Sequence, residues 1–256
     1  MADKRVAIVT GAANGIGEAT AKLFAQNGYA VAAIDIVDRV EQVAAEIKSE
    51  GGECLFTKGD VSDESHVKAF VDQVAKAHGR IDALINNAGI VVVKPLEEID
   101  WADFRRVVDV NLGGIFLFCK HVLPVMKKQA SGAIVNMGSV SGHVGQIDHT
   151  IYGATKGAII AFTRAVAWEV AKHNIRVNSI SPGSVETPML LSDIELESKR
   201  TGIPFDAVRK EREAEQAFNR WADPKEIAEA IYFLASEKAS FITGTDLLVD
   251  CGWVAK

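Results

Sequence analysis

This sequence predicts an α/β architecture: one domain over residues 1–256, a doubly wound parallel sheet of about seven strands with helices on both faces. Two patterns carry the prediction. Short, almost wholly apolar runs alternate with helical stretches along the chain, and strands of that kind are buried on both faces, as in a parallel sheet covered by helices. The loop TGAANGIG follows the first run directly, so that strand, glycine loop, helix and strand succeed one another as in a βαβ unit.

The elements follow in order. Arg5–Thr10 is the first strand; Glu18–Asn27 reads as helix, stopped by Gly28, and Tyr29–Ile34 is a second buried strand ending at Asp35. Asp38–Glu50 is helical, Cys54–Thr57 a short strand, and Asp63–His78 a helix opened by the Ser62/Asp63 cap signal. Ile81–Ile85 runs as a strand into Asn86-Asn87-Ala88-Gly89, and Asp100–Lys128 is a long helical stretch with Pro124 as its kink or stop. Strands at Gly132–Met137, Ile175–Ile180 and Asp246–Val249, and helices at Ile151–His173 and Lys225–Ser236, complete the series. Residues 188–220 break the rhythm with interleaved acidic and basic residues. They follow a strand end, on the side of an open sheet where ligands bind, and are expected to form a lid over the substrate.

Composition narrows the function. With 48% hydrophobic and 24% charged residues the chain suits a globular core. A net charge of −6, with no Lys/Arg run, argues against a broad nucleic-acid surface. No stretch approaches the roughly 18 consecutive apolar residues of a membrane span, and MADKRVAIVTG does not resemble a signal peptide. Cys54, Cys119 and Cys251 lack any CxxC pairing, and the six histidines lack metal-ligand spacing. The expectation is a cytoplasmic protein with reduced thiols and no metal.

The loop Gly11-Ala12-Ala13-Asn14-Gly15-Ile16-Gly17 has the spacing GxxxGxG. Its glycines let the backbone approach a pyrophosphate, which the N-terminus of the next helix favours electrostatically. Asp35, at the end of the second strand, can accept hydrogen bonds from adenosine ribose hydroxyls and repel a 2′-phosphate. With Asn14 and Ile36 where a phosphorylated cofactor asks for a cation, NAD is expected over NADP, although Arg39 is near in sequence.

Tyr152 and Lys156 are four apart, on one face of a helix, and Ser139 follows an apolar strand thirteen residues earlier. A phenol, an ammonium and a hydroxyl so placed can move a proton on and off an alcohol oxygen.

These residues together resemble the short-chain dehydrogenase/reductase family over essentially the whole chain. The matches are Thr10-GAANGIG, Asp60-Val61, Asn86-Asn87-Ala88-Gly89, Asn111, Ser139, Tyr152-GAT-Lys156, and Pro182-Gly183 followed by Thr187. The resemblance implies a Rossmann fold, a nicotinamide cofactor and oxidoreduction of CH–OH groups. By the same resemblance, Asp60 and Val61 contact the adenine, Asn87, Ala88 and Gly89 the adenosine ribose side, and Val185 and Thr187 the nicotinamide amide. Tyr152 is then the general acid/base, Ser139 holds the substrate oxygen, Lys156 holds the nicotinamide ribose, and Asn111 fixes a water that passes protons to Lys156. Where family members often close with Asp-Gly-Gly, this chain has Asp250-Cys251-Gly252.

Free tyrosine ionises near pH 10. The ammonium one turn away and the positive nicotinamide ring both favour the phenolate, so the Tyr152 pKa is expected to fall. Ser141, His143, Gln146 and His149, with Asp148, form the expected polar wall of the substrate pocket; Val91–Val93, Met189 and Leu190 form an apolar one. A polyol, sugar or sugar acid suits the first and a cyclic or aryl secondary alcohol the second, with the former favoured. A 3-oxoacyl reductase and an NAD-binding regulator are the rivals; Asp35 and the acidic balance count against one, the complete Ser-Tyr-Lys set against the other. Ala154, Gly157, Ala158, Ala161 and Ala165 form a small-residue stripe at helical spacing. The family implication is a homotetramer, with a dimer second.

Overall fold

The computed structural model describes residues 4–256. Seven strands, β1 (Val6–Thr10), β2 (Ala30–Asp35), β3 (Glu53–Lys58), β4 (Ala83–Asn86), β5 (Gly132–Met137), β6 (Ile175–Pro182) and β7 (Asp246–Val249), form a parallel sheet ordered β3-β2-β1-β4-β5-β6-β7. The order reverses between β1 and β4. At such a switch point the flanking connections leave in opposite directions and open a crevice beyond the strand ends.

Alternation along β1 assigns its side chains to two cores. Ala7 and Val9 face α1 (Gly15–Gln26), α2 (Arg39–Ser49) and α9 (Pro224–Ala235), packing with Phe24, Val43, Ile227 and Ile231. Val6 and Ile8 face α3 (Glu64–His78), α5 (Gly114–Gln129) and α6 (Thr150–Val170), with Phe70, Phe118, Met126, Ile159 and Val170. Fully burying one such side chain contributes about 1.5–3 kcal/mol, so the two cores hold the strand ends, and the site above them, in fixed register.

Local chemistry sets the boundaries. Asp63 caps α3 by accepting from Ser65 N and His66 N, and Gly79 ends that helix at φ +71°. The first helix opens at Gly15, three residues before the apolar periodicity, because the glycine loop itself turns into it. The long stretch after Asp100 is α4 (Trp101–Val108), a π-helical turn (Asp109–Gly113) and α5, and α5 continues through Pro124 to Gln129. Pro124 therefore does not stop the helix. Trp101–Gln129 is also long and apolar enough, by average hydropathy, to cross a membrane. Here it packs on the sheet and α3 through Ile115, Phe118, Val122 and Met126.

Residues 188–220 fold as two helices, α7 (Pro188–Thr201) and α8 (Phe205–Ala214). They share a small core of Ile194, Val208 and Trp221. Asp193–His149 at 3.2 Å and an Arg200–Asp148 ion pair tie α7 to the turn before α6; Arg212–Glu197 at 2.7 Å ties α8 to α7.

Candidate active site

A cleft of about 840 Å³ lies at the C-terminal ends of the central strands. Its floor begins at the glycine loop. Gly11 (φ +64°) and Gly15 (φ +53°) take left-handed conformations that side chains rarely adopt. A Cβ on Gly17 would sit 1.9 Å from the Gly11 carbonyl oxygen, so helix and loop can close together only with glycine there. Asn14 makes no side-chain cap. The first-turn N–H groups of α1, which no helical turn can satisfy, are left for a ligand, and Gly15 and Ile16 line the cleft beside them.

Asp35 sits at the rim, with Oδ2 accepting from Ala13 N (2.9 Å) and Oδ1 from Val37 N (3.2 Å). Arg39 does not compete for the position. Its Nε donates to the Ala13 carbonyl (2.8 Å) and its guanidinium to Glu18 (2.7 Å). Burial works against the charge of Glu18, yet Lys22 and Arg39 hold its carboxyl below the ordinary value. A carboxylate at the rim, unpartnered helix N–H groups and glycines that admit close backbone approach fit a dinucleotide.

Thr10, named in the motif without a role, organises the opposite lip: its hydroxyl accepts from Asn87 N and Ala88 N, each at 3.0 Å. The Asn87 side chain donates to the carbonyls of Thr10 (3.0 Å) and Gly11 (3.1 Å), so it braces the glycine loop. Asp60 and Val61 line the cleft, with the Asp60 carboxylate accepting from Ser62 N and Oγ at 2.8 and 2.7 Å. Gly89, Pro182, Gly183, Val185 and Thr187 line it too. Thr187 doubles as the cap of α7.

Ser139, Tyr152 and Lys156 come together at the centre. The ammonium lies 5.3 Å from the phenol ring centroid and donates to the Met137 carbonyl at 2.8 Å. Burial drives Lys156 down to about 7. It drives Tyr152 up to about 12, the Ser139 hydroxyl opposing and the Asp193 charge reinforcing the rise. The expected fall of Tyr152 is therefore absent in the chain alone: desolvation outweighs its neighbours, and a lysine itself pushed toward neutrality supplies little compensating field.

Asn111 is fully buried in the π-helical turn. Its Oδ1 accepts from Ile90 N (2.8 Å), and its Nδ2 donates to Ile90 O (3.0 Å) and Thr155 Oγ1 (3.1 Å). Both amide hydrogens are committed, so this side chain ties the segment after the Asn-Asn-Ala-Gly turn to α6. Thr155, next to Lys156, returns a bond to the Tyr152 carbonyl at 2.7 Å.

The expected polar wall is only partly assembled. Ser141, Gln146 and His149 line the cleft, as do Val91 and Met189. Ser141 hydrogen-bonds Ser139 (3.1 Å) and Gln146. His143 is a correction: its ring turns to Asp246 at the start of β7 (2.7 Å) and lies outside the cleft lining. Asp246 also accepts from Ser179 and Ser181, so His143 anchors the loop to the sheet. Val92 and Val93 are likewise outside the lining. Asp193, Arg212 and Trp253, which no motif marked, are in it.

Residues 11–254 match the family model described as enoyl-(acyl carrier protein) reductase. The chain is 43% identical to cis-4-hydroxycyclohexanecarboxylate dehydrogenase of Sinomonas cyclohexanicum, covering 98% of this chain and 97% of that one. It is similar to the crystal structure of levodione reductase (TM-score 0.93, 34% identity, 98% of both chains). It is also similar to ElxO with NADP bound (TM-score 0.87, 31% identity, 99% and 100% of the two chains). By fold, site and sequence, the chain belongs to the short-chain dehydrogenase/reductase family, oxidoreductases that act on CH–OH groups with NAD(P).

Proposed function

We propose that this chain is an NAD-dependent dehydrogenase/reductase interconverting a small secondary alcohol and its ketone. The observation that carries the reading is the convergence of Ser139, Tyr152 and Lys156 at the inner end of a cleft whose outer end is the glycine loop and Asp35. NAD, when bound, supplies hydride chemistry. Tyr152 gives or takes the proton at the substrate oxygen, Ser139 donates to that oxygen and orients it, and Lys156, held by the Met137 carbonyl, steers the phenol's neighbourhood. Asn111 keeps the segment after Gly89 at its proper distance from Lys156. The preference for NAD rests on Asp35 at the rim and on Arg39 being held by Glu18 and Ala13.

The polar Ser141–Gln146–His149 wall supports a hydroxylated substrate such as a polyol, sugar or sugar acid. A ring-bearing secondary alcohol is the second reading, favoured by the apolar lining of Val91, Val140, Met189, Leu190 and Trp253 and by the relative named for a hydroxycyclohexanecarboxylate. Helices α7 and α8 serve as the lid of the same domain, and the site is cytoplasmic in this reading.

A homotetramer, with a dimer second, completes the proposal. Ala154, Ala161 and Ala165 stand on the outer face of α6 beside Trp168, which is 87% exposed. Close approach of a second helix needs small residues of this kind.

The test is NADH formation with a panel split into polyols, sugar acids and cyclic alcohols, run on the natural chain and on Tyr152→Phe. We expect turnover on at least one class, lost on substitution, with NAD affinity nearly unchanged. Retention of more than a few per cent of the rate in Tyr152→Phe refutes the proton-transfer assignment.

A further inference from the structure

In the wall of the cleft, one buried acceptor has no hydrogen-bond partner among the described residues. His149 and Asp193 are both buried, 5% and 7% exposed, and both line the cleft. His149 Nδ1 faces the Ile147 carbonyl at 2.7 Å, and its Nε2 faces Asp193 Oδ2 at 3.2 Å. A carbonyl can only accept, so Nδ1 carries hydrogen, and Asp193 Oδ2 favours a second hydrogen on Nε2 of the same imidazole. Its raised pKa has the same origin: burial opposes the charge, but the Asp193 and Ile147 bonds outweigh it. Arg212, which also lines the cleft, is matched by Glu197 at 2.7 Å. Glu215, half-buried near Arg212 and His149, adds a third carboxyl whose pKa burial raises. Asp193 Oδ1 remains, buried and without a hydrogen-bond partner.

A buried carboxylate oxygen left unpaired is costly, and such groups persist where a ligand completes them. The oxygen belongs to a side chain in the cleft wall, close enough to Tyr152 for its charge to disfavour the phenolate. The His149 ring packs edge-to-face against the Tyr152 ring, centres 6.3 Å apart, so the pair forms one continuous wall. The same cleft is lined by apolar Val91, Val140, Met189 and Leu190. A substrate that puts its reacting carbinol at Tyr152 would present its far side to Asp193.

The geometry points to Asp193 as a specificity residue, whose Oδ1 accepts a hydrogen bond from a second hydroxyl on the substrate, across an apolar body from the carbon that is oxidised. The inference rests on the proposed alcohol-oxidising reading and narrows it to a diol-type substrate, such as a hydroxylated ring. An acceptor so placed selects against both an analogue lacking the second hydroxyl and one carrying an anion there. His149 is then a positioning residue, holding Asp193 in its orientation.

The test uses Tyr152→Phe, which stops turnover, saturated with NAD. Binding of cyclohexanol and of cyclohexanediols with hydroxyls on opposite ring carbons is followed by tryptophan fluorescence, since Trp253 lines the cleft. A charge-assisted hydrogen bond predicts that at least one diol isomer binds about 10–100-fold more tightly than cyclohexanol. Adding Asp193→Ala should bring that ratio to about one, and Asp193→Asn, which keeps the shape, should lower it severalfold. Equal binding of diol and mono-ol to the parent overturns the inference, as does a ratio that survives both Asp193 substitutions. If Asp193→Ala does not fold, an Asp193→Asn ratio within twofold of the parent is sufficient to overturn it. Steady-state turnover on chains retaining Tyr152 separates the two readings. Selective diol binding with no oxidation of any alcohol sinks the dehydrogenase assignment alone, whereas oxidation without diol selectivity sinks the Asp193 inference alone.

Discussion

Replacing Asn111 with alanine tests whether the π-helical turn is there to pin the active-site segment. The side chain makes three hydrogen bonds at 2.8, 3.0 and 3.1 Å, two of them to the N–H and C=O of the single residue Ile90. Each is worth about 1 kcal/mol net, and a buried group left without a partner costs about 1–3 kcal/mol. Ile90 is half-buried, so water recovers part of that loss, and the sum is about 3–5 kcal/mol. At about 2–4 °C per kcal/mol for chains of this size, the unfolding midpoint should fall by about 6–20 °C in a thermal scan at fixed rate. Gly89 and Val91 flank Ile90 and line the cleft, so the released segment misplaces the cofactor and substrate walls. An error of about 1 Å in such positioning costs about a hundredfold in rate. A midpoint within about 2 °C of the natural chain would show that the buried amide is dispensable and refute the positioning role.

Two further outcomes follow from the same geometry. Asp35→Ala should cut kcat/KM with NAD by about 10–100-fold through loss of a charge-assisted acceptor. Adding Glu18→Gln, which releases Arg39, should move the preference toward NADP beyond what Asp35→Ala achieves; an NAD/NADP ratio indifferent to both changes argues that neither residue sets it. Light scattering should give the mass of four chains, and Ala161→Arg, on the outer face of α6, should reduce it; a monomeric mass for the natural chain discards both the tetramer and the dimer.

What the sequence made legible was local. A glycine loop reads at a glance because its residues are contiguous and their backbone demands are severe; Gly17 shows why, with no room for a Cβ against Gly11. Tyr152 and Lys156 read as a pair because helical spacing alone puts them on one face. The partners that decide finer roles are distant in sequence and left no pattern. His143 was expected in the substrate wall, but Asp246, 103 positions away, draws it to the sheet. Arg39 looked free to meet a phosphate until the fold delivered Glu18 to it from another helix. Asp193 lies in a run of mixed charges that reads as a lid without singling out any residue, and only the docking of α7 on His149 buries it. Thr10 is visible in the motif, but its role as acceptor for two amides depends on where β4 ends.

The rise of Tyr152 in the chain alone has its own test, and its sign is fixed by the direction of each shift. In the free protein Tyr152 is raised from 10.0 to about 12, and Lys156 is lowered from 10.5 to about 7. Between about pH 7 and 10.5 the unfolded chain binds a lysine proton that the folded chain does not, so this residue makes stability rise with pH. Between about pH 10 and 12 the folded chain keeps a phenol proton that the unfolded chain has lost, so Tyr152 makes stability fall with pH. Tyr29, Cys54 and Cys119, also raised by burial, add to the fall, so Tyr152→Phe should make it shallower above about pH 10 and leave the Lys156 contribution unchanged, as read from urea midpoints across that range. The tyrosinate absorbance that Tyr152→Phe deletes should likewise appear only above about pH 11 in the free protein. A cation beside the ring favours the phenolate, so with NAD bound the same signal should move to lower pH. Ionisation of Tyr152 below about pH 9 without NAD would mean that the chain alone activates its tyrosine, and that burial does not govern it.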